Sequence, residues 1–358
     1  MPFDQDDLFA SERKDGSSLN LPRCSEVEID GVRLETTPVF DAYWYFAFER
    51  QNMFRRRHIG SNAQQSSEDW ILASHRFTNA YRASDRVSQH LIRYVIWADG
   101  ETWSDEDHFF RTLIFKLFNR IDTWNALKQE VGSIRLKNYD FETFDRVLTS
   151  RQNKGIRNYS AAYIMPSAGR IFGYKSKHAN HLRLVEWMLD QDYPTRLQEA
   201  DNMQSAYNLL VDAPSIGPFL AYQFVTDLNY GPLTNFSEME FVVAGPGALD
   251  GISKCFLDSE RVAPERIIHH MAEKQAAYFK HYGFEFFDLW GRPLQLIDCQ
   301  NIFCEISKYS RAAYPEIAGK SGRSRIKQKY KTGGQLNAPW YPPDWGLNER
   351  IEAEIPSI

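Results

Sequence analysis

Apolar side chains recur along most of this chain every three or four positions, the period of a helix with one buried face. From Pro38, the residues Phe40, Trp44, Ala47 and Phe48 share a face that Tyr43 and Phe54 extend. This predicts a buried helix of roughly four to five turns. After the polar gap SNAQQSSED a second helix is expected from about Trp70, with Phe77, Tyr81, Ser84, Val87 and Leu91 as its stripe. Further helical periods cover 105–128, 140–152, 179–191, 198–211, 218–229, 264–281 and 293–312. Strand signals are short: GVRL near residue 32 and FVV at 241–243 either pair or simply run extended. Glycine and proline mark the loops at GPL (231), GPG (245) and WGRP (290), and no internal repeat is visible. The expected class is mainly α.

Composition narrows this only a little. Of 358 residues, 43% are hydrophobic and 25% charged, the balance of an ordinary globular protein with room for two subdomains. No apolar run reaches membrane-spanning length, and the acidic start MPFDQDDLFASERKDGSS is unlike a secretory signal, so a cytoplasmic protein with no membrane partner is expected. Cys24, Cys255, Cys299 and Cys304 match no zinc or iron–sulfur spacing, and His178 and His181 lack partner ligands at metal-binding spacing, so no metal and no cofactor are expected. A net charge of −5 disfavours non-specific coating of nucleic acid, yet the cations cluster. Arg50, Arg55, Arg56 and Arg57 form one group, and Lys320, Arg323, Arg325, Lys327, Lys329 and Lys331 form another. Phosphate contact and plain solvation explain either cluster alone equally well.

The stretch SAYNLLVDAPSIGPFLAYQFVTDLNY (205–230) carries more information. It predicts two helices joined by Pro214-Ser215-Ile216-Gly217, a helix-hairpin-helix element over 206–228. Pro214 biases Ala213 away from helix, so the first helix stops there. Gly217 is expected either to take a positive φ or to let another backbone approach. Ile216 plugs the hairpin, and the first N–H groups of the second helix offer an anion site that suits a DNA phosphate. An ordinary helical hairpin satisfies the same short motif, and the motif alone leaves both readings open. Downstream, Glu238 and Glu240 stand 21 and 23 positions after Gly217.

A Pro-x-Ile-Gly hairpin followed at that distance by a carboxylate resembles the helix-hairpin-helix DNA glycosylases. The blocks HRFTNAYRASDRVSQHLIR (75–93), FFRTLIFKLFNRIDTW (109–124), YSAAYIMP (159–166), FLAYQFVTDLNY (219–230), GPGALDGISKCF (245–256) and WGRPLQLIDCQNIFCEISKY (290–309) are similar to one branch. That branch is the α-glutamyl/putrescinyl-thymine pyrophosphorylase-type proteins, which include antiphage glycosylases that excise glucosylated 5-hydroxymethylcytosine. The resemblance covers roughly residues 36–345. It implies a two-lobed helix-hairpin-helix DNA glycosylase-like fold with a central cleft, formed by residues 37–345 between a polar extension (1–36) and a tail (346–358). It also implies a flipped base and a carboxylate that stabilises positive charge on the sugar. Two departures stand out. The lysine that bifunctional members carry two positions after the hairpin glycine is Phe219 here, which removes the Schiff-base route. The usual aspartate is replaced by two glutamates.

The expected catalysts are therefore Glu238 or Glu240, with Asp250 as a third candidate that equally suits a helix cap. Ser215, Ile216, Gly217 and Phe219 would hold duplex DNA, with Arg55, Arg56, Arg57, Arg323, Arg325 and Lys327 on the flanking backbone. Arg76, Asn79, Arg82, Asp85 and Gln89 fall three or four apart as a polar strip on the expected second helix. With Tyr43 and Asp298 they are the candidate lining of a base pocket. The Gly-Lys-Ser at 319–321 lacks both the earlier glycine and the leading strand of a phosphate-binding loop. The leading expectation is a monofunctional glycosylase that leaves an abasic site at a modified pyrimidine in phage DNA, without a required protein partner. A transferase replacing (pyro)phosphate on phosphorylated 5-hydroxymethyluracil is the alternative, and a module that binds modified DNA without chemistry is the third.

Overall fold

A computed structural model describes residues 21–59, 67–98, 102–161, 165–330 and 337–355; the first twenty residues of the expected extension lie outside them. The described residues are mainly helical. A ribbon of β1 (Glu26–Ile29) against β2 (Val32–Glu35) comes first, turned by Asp30 and Gly31, both at positive φ as a tight hairpin of this hand requires. The helices are α1 (Pro38–Ile59), α2 (Trp70–Ser74), α3 (Arg86–His90), α4 (Asp105–Phe118), α5 (Ile121–Val131), α6 (Phe141–Asn153), α7 (Gly169–Phe172) and α8 (Lys177–Asp190). Then come α9 (Tyr193–Gln198), α10 (Met203–Val211), α11 (Pro218–Leu228), α12 (Pro246–Cys255), α13 (Pro264–His281), α14 (Leu296–Ala313) and α15 (Asn348–Glu354). The FVV segment is not a strand.

Two compact units divide the chain. The first comprises the described residues of Met1–Ala80, Ala244–Asp288 and Cys299–Gln335; the second comprises those of Tyr81–Val243, Leu289–Asp298 and Leu336–Ile358. Aromatic packing builds the first core. The expected face of α1 is buried, with Trp44 stacked on Tyr278 at 4.7 Å and Tyr43 against Phe303 at 4.7 Å. Gly251 on α12 lies so close to α14 that a Cβ there would meet the Phe303 carbonyl oxygen at 2.0 Å, so only glycine fits.

In the second unit α4 and α11 are buried almost all round, from Asp107 to Phe118 and from Leu220 to Leu228. Such helices need both ends closed. Ser104 accepts the Asp107 N–H at the start of α4, and Asn119 ends it in the left-handed region at φ 50°, which splits the helical period expected over 105–128. The tail packs back: Leu347 and Ile351 of 346–358 are buried.

One predicted helix is broken. Asp69 caps α2 on Ile71 and Leu72, but α2 stops at Ser74. From there the backbone turns to a different partner. The Arg76 N–H donates to the Gln328 carbonyl, the Tyr330 N–H donates to the Ser74 carbonyl, and His75 bridges Lys329. N–H groups spent on another segment cannot close i to i−4 bonds, so residues 75–81 are not helical and helix resumes only as a short turn at Arg82–Ser84 and at α3. The polar strip from Arg76 to Gln89 therefore does not exist as one helical face.

The hairpin of α10 and α11 forms, with Ile216 buried at the turn. Its left-handed residue is Ser215, at φ 63°, and not Gly217. Gly217 is the extended N-cap of α11 (φ −81°), exposed, with open space where a Cβ would point; Pro218 follows at the first helical position.

Candidate functional site: a buried charge network beside an arginine-lined cleft

The second unit contains a run of buried charges. Asp227 sits on the apolar α11 with no exposure. Its Oδ1 is 2.8 Å from Arg82 Nη1 and its Oδ2 is 2.7 Å from Lys116 Nζ, both from buried side chains. Burial pushes the Asp227 carboxyl up, but the two cations outweigh it and hold the group below the usual carboxylate range. The Arg82 guanidinium also donates to Tyr230 Oη at 3.0 Å and to Gln223 Oε1 at 3.2 Å. Both terminal nitrogens of this guanidinium are thus directed at protein groups.

The same residue joins a second carboxyl. Asp298, at the third position of α14, accepts the Arg82 N–H at 2.7 Å on Oδ1 and the Gln295 N–H at 2.9 Å on Oδ2, the reach-back half of a capping box. Complete burial, with Glu238 nearby, outweighs these N–H groups and pushes Asp298 up to about 7.

Glu238 is the unfinished member. It is buried, Oε2 accepts from Arg292 Nη2 at 2.7 Å, and Oε1 has no hydrogen-bond partner among the described residues. Burial raises its pKa, and the Arg292 pairing only partly offsets this. Arg292 lies over the Trp345 ring at 3.9 Å, and Trp345 stacks on Tyr341. Arg292 borders a cleft of ≈ 290 Å³ with Trp290, Gly291, Gln295, Trp345 and Arg350. Two guanidinium groups on one small cleft suit an anionic or strongly polar guest. Gly291, at φ 96°, leaves room for Arg350 Nη1, which a Cβ would meet at 2.8 Å.

The other expected site residues scatter. Glu240 is exposed, away from this network. Asp250 belongs to the first unit, where Ser307 Oγ donates to Oδ2 and the Ser321 N–H donates to Oδ1 at 2.6 Å. Burial raises the Asp250 carboxyl, but those bonds and Lys254 prevail and lower it. Lys254 Nζ in turn donates to the Ser307 carbonyl at 2.9 Å and to Ser310 Oγ at 3.1 Å. The Gly-Lys-Ser segment is therefore a loop latched onto Asp250. Tyr43 is core, its hydroxyl donating to the Cys299 carbonyl at 3.2 Å. Asn79 accepts from Arg50 in the first unit; Gln89 in the second donates to the Ala83 carbonyl and accepts the Trp340 N–H. Asp85 is the extended residue before α3, and Arg76 is exposed in the first unit. Arg55 lies over Phe287, Arg56 pairs with Glu49 and Arg57 donates to Tyr330 Oη. His178 and His181 are spent on Asp145 and on Tyr159 and Pro166, and no metal-holding group of side chains occurs among the described residues.

Sequence reasoning missed Asp227, Lys116 and Arg292. A signal existed for two of them. Lys116 in FFRTLIFKLF and Asp227 in FLAYQFVTDL are lone charges inside apolar runs, which burial forces to find partners. Arg292 stands in WGRP, where only loop punctuation was legible.

Fold and network together define a mainly α protein whose second unit holds a buried ionic core beside a polar cleft. The chain belongs to the 5-hmdU DNA kinase helical-domain family, whose description matches residues 37–319. It is 25% identical over 345 residues to a 5-hmdU DNA kinase of Bacillus phage SP10, an alignment that covers 88% of this chain and 53% of that protein. The chain thus spans about half the length of the curated relative it matches. No solved structure matches. These findings overturn the glycosylase expectation: the family and the relative carry the name of a kinase, a group-transfer enzyme, not of a hydrolase of N-glycosidic bonds. The abasic-site product and the antiviral role fall with it. No helix among the described residues is long and apolar enough to cross a membrane.

Proposed function

We propose that this chain recognises 5-hydroxymethyluracil in DNA and presents its hydroxymethyl group for phosphoryl transfer, a reaction different from the (pyro)phosphate replacement expected as the alternative. The observation that carries it is Glu238: a buried carboxylate with a raised pKa and a spare acceptor oxygen, held by Arg292 at the edge of the cleft. A hydroxymethyl O–H placed against Oε1 would find an acceptor able to take its proton as the oxygen attacks the γ-phosphorus of a nucleoside triphosphate, whose bond to the β-phosphate oxygen breaks and whose diphosphate leaves. Arg292 and Arg350 would neutralise the charge on a phosphoryl group there. Arg82, expected in the lining of the base pocket, is committed to Asp227 and serves to brace the site. The hairpin residues Ser215, Ile216, Gly217 and Phe219 are proposed to seat a backbone phosphate at the start of α11.

The test uses two duplexes that differ only in thymine or 5-hydroxymethyluracil at one position. The wild-type protein is expected to prefer the modified duplex by tenfold or more, and Arg292→Ala to lose that preference. After incubation with a nucleoside triphosphate, nucleoside mass spectrometry should find phosphate on the hydroxymethyl group with the N-glycosidic bond intact. Equal binding of both duplexes, or release of free base, would defeat the proposal.

A further inference from the structure

A face of the first unit remains unexplained by base recognition. Between Arg323 and Gln328 the chain carries no helix or turn, and it is fixed at both ends. At one end the Ser321 N–H is held by Asp250, and Gly319 is packed so tightly that a Cβ would meet Asp250 Oδ1 at 2.5 Å. At the other, Gln328 and Tyr330 exchange backbone hydrogen bonds with Arg76 and Ser74. Along this strap Arg323, Arg325, Lys327 and Lys329 occupy every second position, and all four are exposed without a carboxylate partner among the described residues. Four exposed cations within seven residues of one fixed strap concentrate positive charge suited to a sugar–phosphate backbone.

Aromatic groups adjoin the anchored end. Tyr330 is exposed, with the Arg57 guanidinium over its ring at 5.4 Å and bonded to its hydroxyl at 3.0 Å. Trp70 is 52% exposed, and its ring lies 6.2 Å from that of His75, the residue that bridges Lys329. The carboxylate of Asp69 beside it is engaged by the α2 N–H groups and by Tyr309, which leaves Glu68 as the exposed acid next to Trp70. Cations on an exposed strap next to solvent-exposed aromatic rings are the pattern that binds unstacked nucleotides; a duplex, with its bases covered, offers nothing for those rings.

We infer that this face binds a single DNA strand, or one locally opened, with phosphates on the Arg323–Lys329 strap and bases stacked on Trp70 and Tyr330. The inference goes beyond the recognition of a modified base and concerns a different unit.

Fluorescence anisotropy with an oligothymidylate and with an unmodified duplex of equal length tests it. Neither probe carries a hydroxymethyl group, so the result is independent of the base-recognition reading. The single strand should bind tighter. Trp70→Ala with Tyr330→Ala should weaken it about tenfold or more while leaving the duplex unchanged, and Trp70→Phe with native Tyr330 should retain most of the affinity. Arg323→Ala, Arg325→Ala and Lys327→Ala together should weaken binding and make the salt dependence shallower by about 2 in log–log slope, ~0.7 per lost phosphate contact. Duplex binding as tight as single-strand binding, or aromatic variants with wild-type affinity, would overturn the inference. Trp70 and Tyr330 are exposed, so circular dichroism of the variants should match the parent.

Discussion

Asp250 in the first unit and Glu238 in the second are both buried carboxylates, and both looked like catalysts. Their surroundings part them. Asp250 receives a hydroxyl and a backbone N–H, keeps Lys254 within 4.0 Å, and has its pKa lowered. Glu238 receives one guanidinium, keeps one oxygen without a partner among the described residues, and has its pKa raised. A carboxylate bonded on both oxygens holds protein together; Glu238 keeps one buried acceptor unspent behind Arg292, which itself borders the cleft. Asp227 differs from both: each of its oxygens is ion-paired with a buried cation.

The largest expected effect tests the ion-paired carboxylate. Asp227→Ala strands Arg82 and Lys116 in the interior and should cost about 3–5 kcal/mol in urea unfolding; a loss below ~1 kcal/mol would mean the ions are not truly buried. Next, Glu238→Gln should lower the proposed preference for the 5-hydroxymethyluracil duplex by about tenfold with the melting temperature nearly kept, whereas Asp250→Asn should spare that preference and loosen the 318–322 loop. Equal losses in both variants would erase the distinction. Gly319→Ala drives a methyl into Asp250 and should destabilise by roughly 1–3 kcal/mol, read by thermal denaturation.

The smallest effects lie in pH dependence, and the signs oppose. Asp298 moves from an ordinary 3.8 to about 7 on folding, so its contribution is full below 3.8 and fades as pH rises to about 7; Asp298→Asn should flatten that decline. Asp250 is lowered on folding, so its contribution stands above 3.8 and is lost as pH falls through its depressed value; Asp250→Asn should remove that acid-side loss. Melting temperatures across pH 3 to 8 would show whether the two slopes have these signs.

Much of the fold was legible because helices are written locally. The face of α1, the hairpin and the stop before Pro214 follow from nearest neighbours in the chain. The helix expected from Trp70 failed because residues 74–76 give their backbone groups to 328–330, a partner some 250 positions away that no periodicity reveals. The failure took the polar strip with it and left Arg82, now with a different role. Spacing from the hairpin glycine pointed to Glu238 and Glu240 alike, since it locates a carboxylate without saying what faces it; the structure buries Glu238 and exposes Glu240.

By itself, then, the amino-acid sequence determined the helical class, the hairpin and the presence of a buried acid after it, all properties of short-range sterics and burial. Tertiary structure alone decided which charges are spent and which are available. Arg82 meets Asp298 across 216 positions and Tyr230 across 148, and Glu238 meets Arg292 across 54. Whether a buried carboxylate latches a loop or waits for a substrate depends on partners that only folding brings within hydrogen-bonding reach.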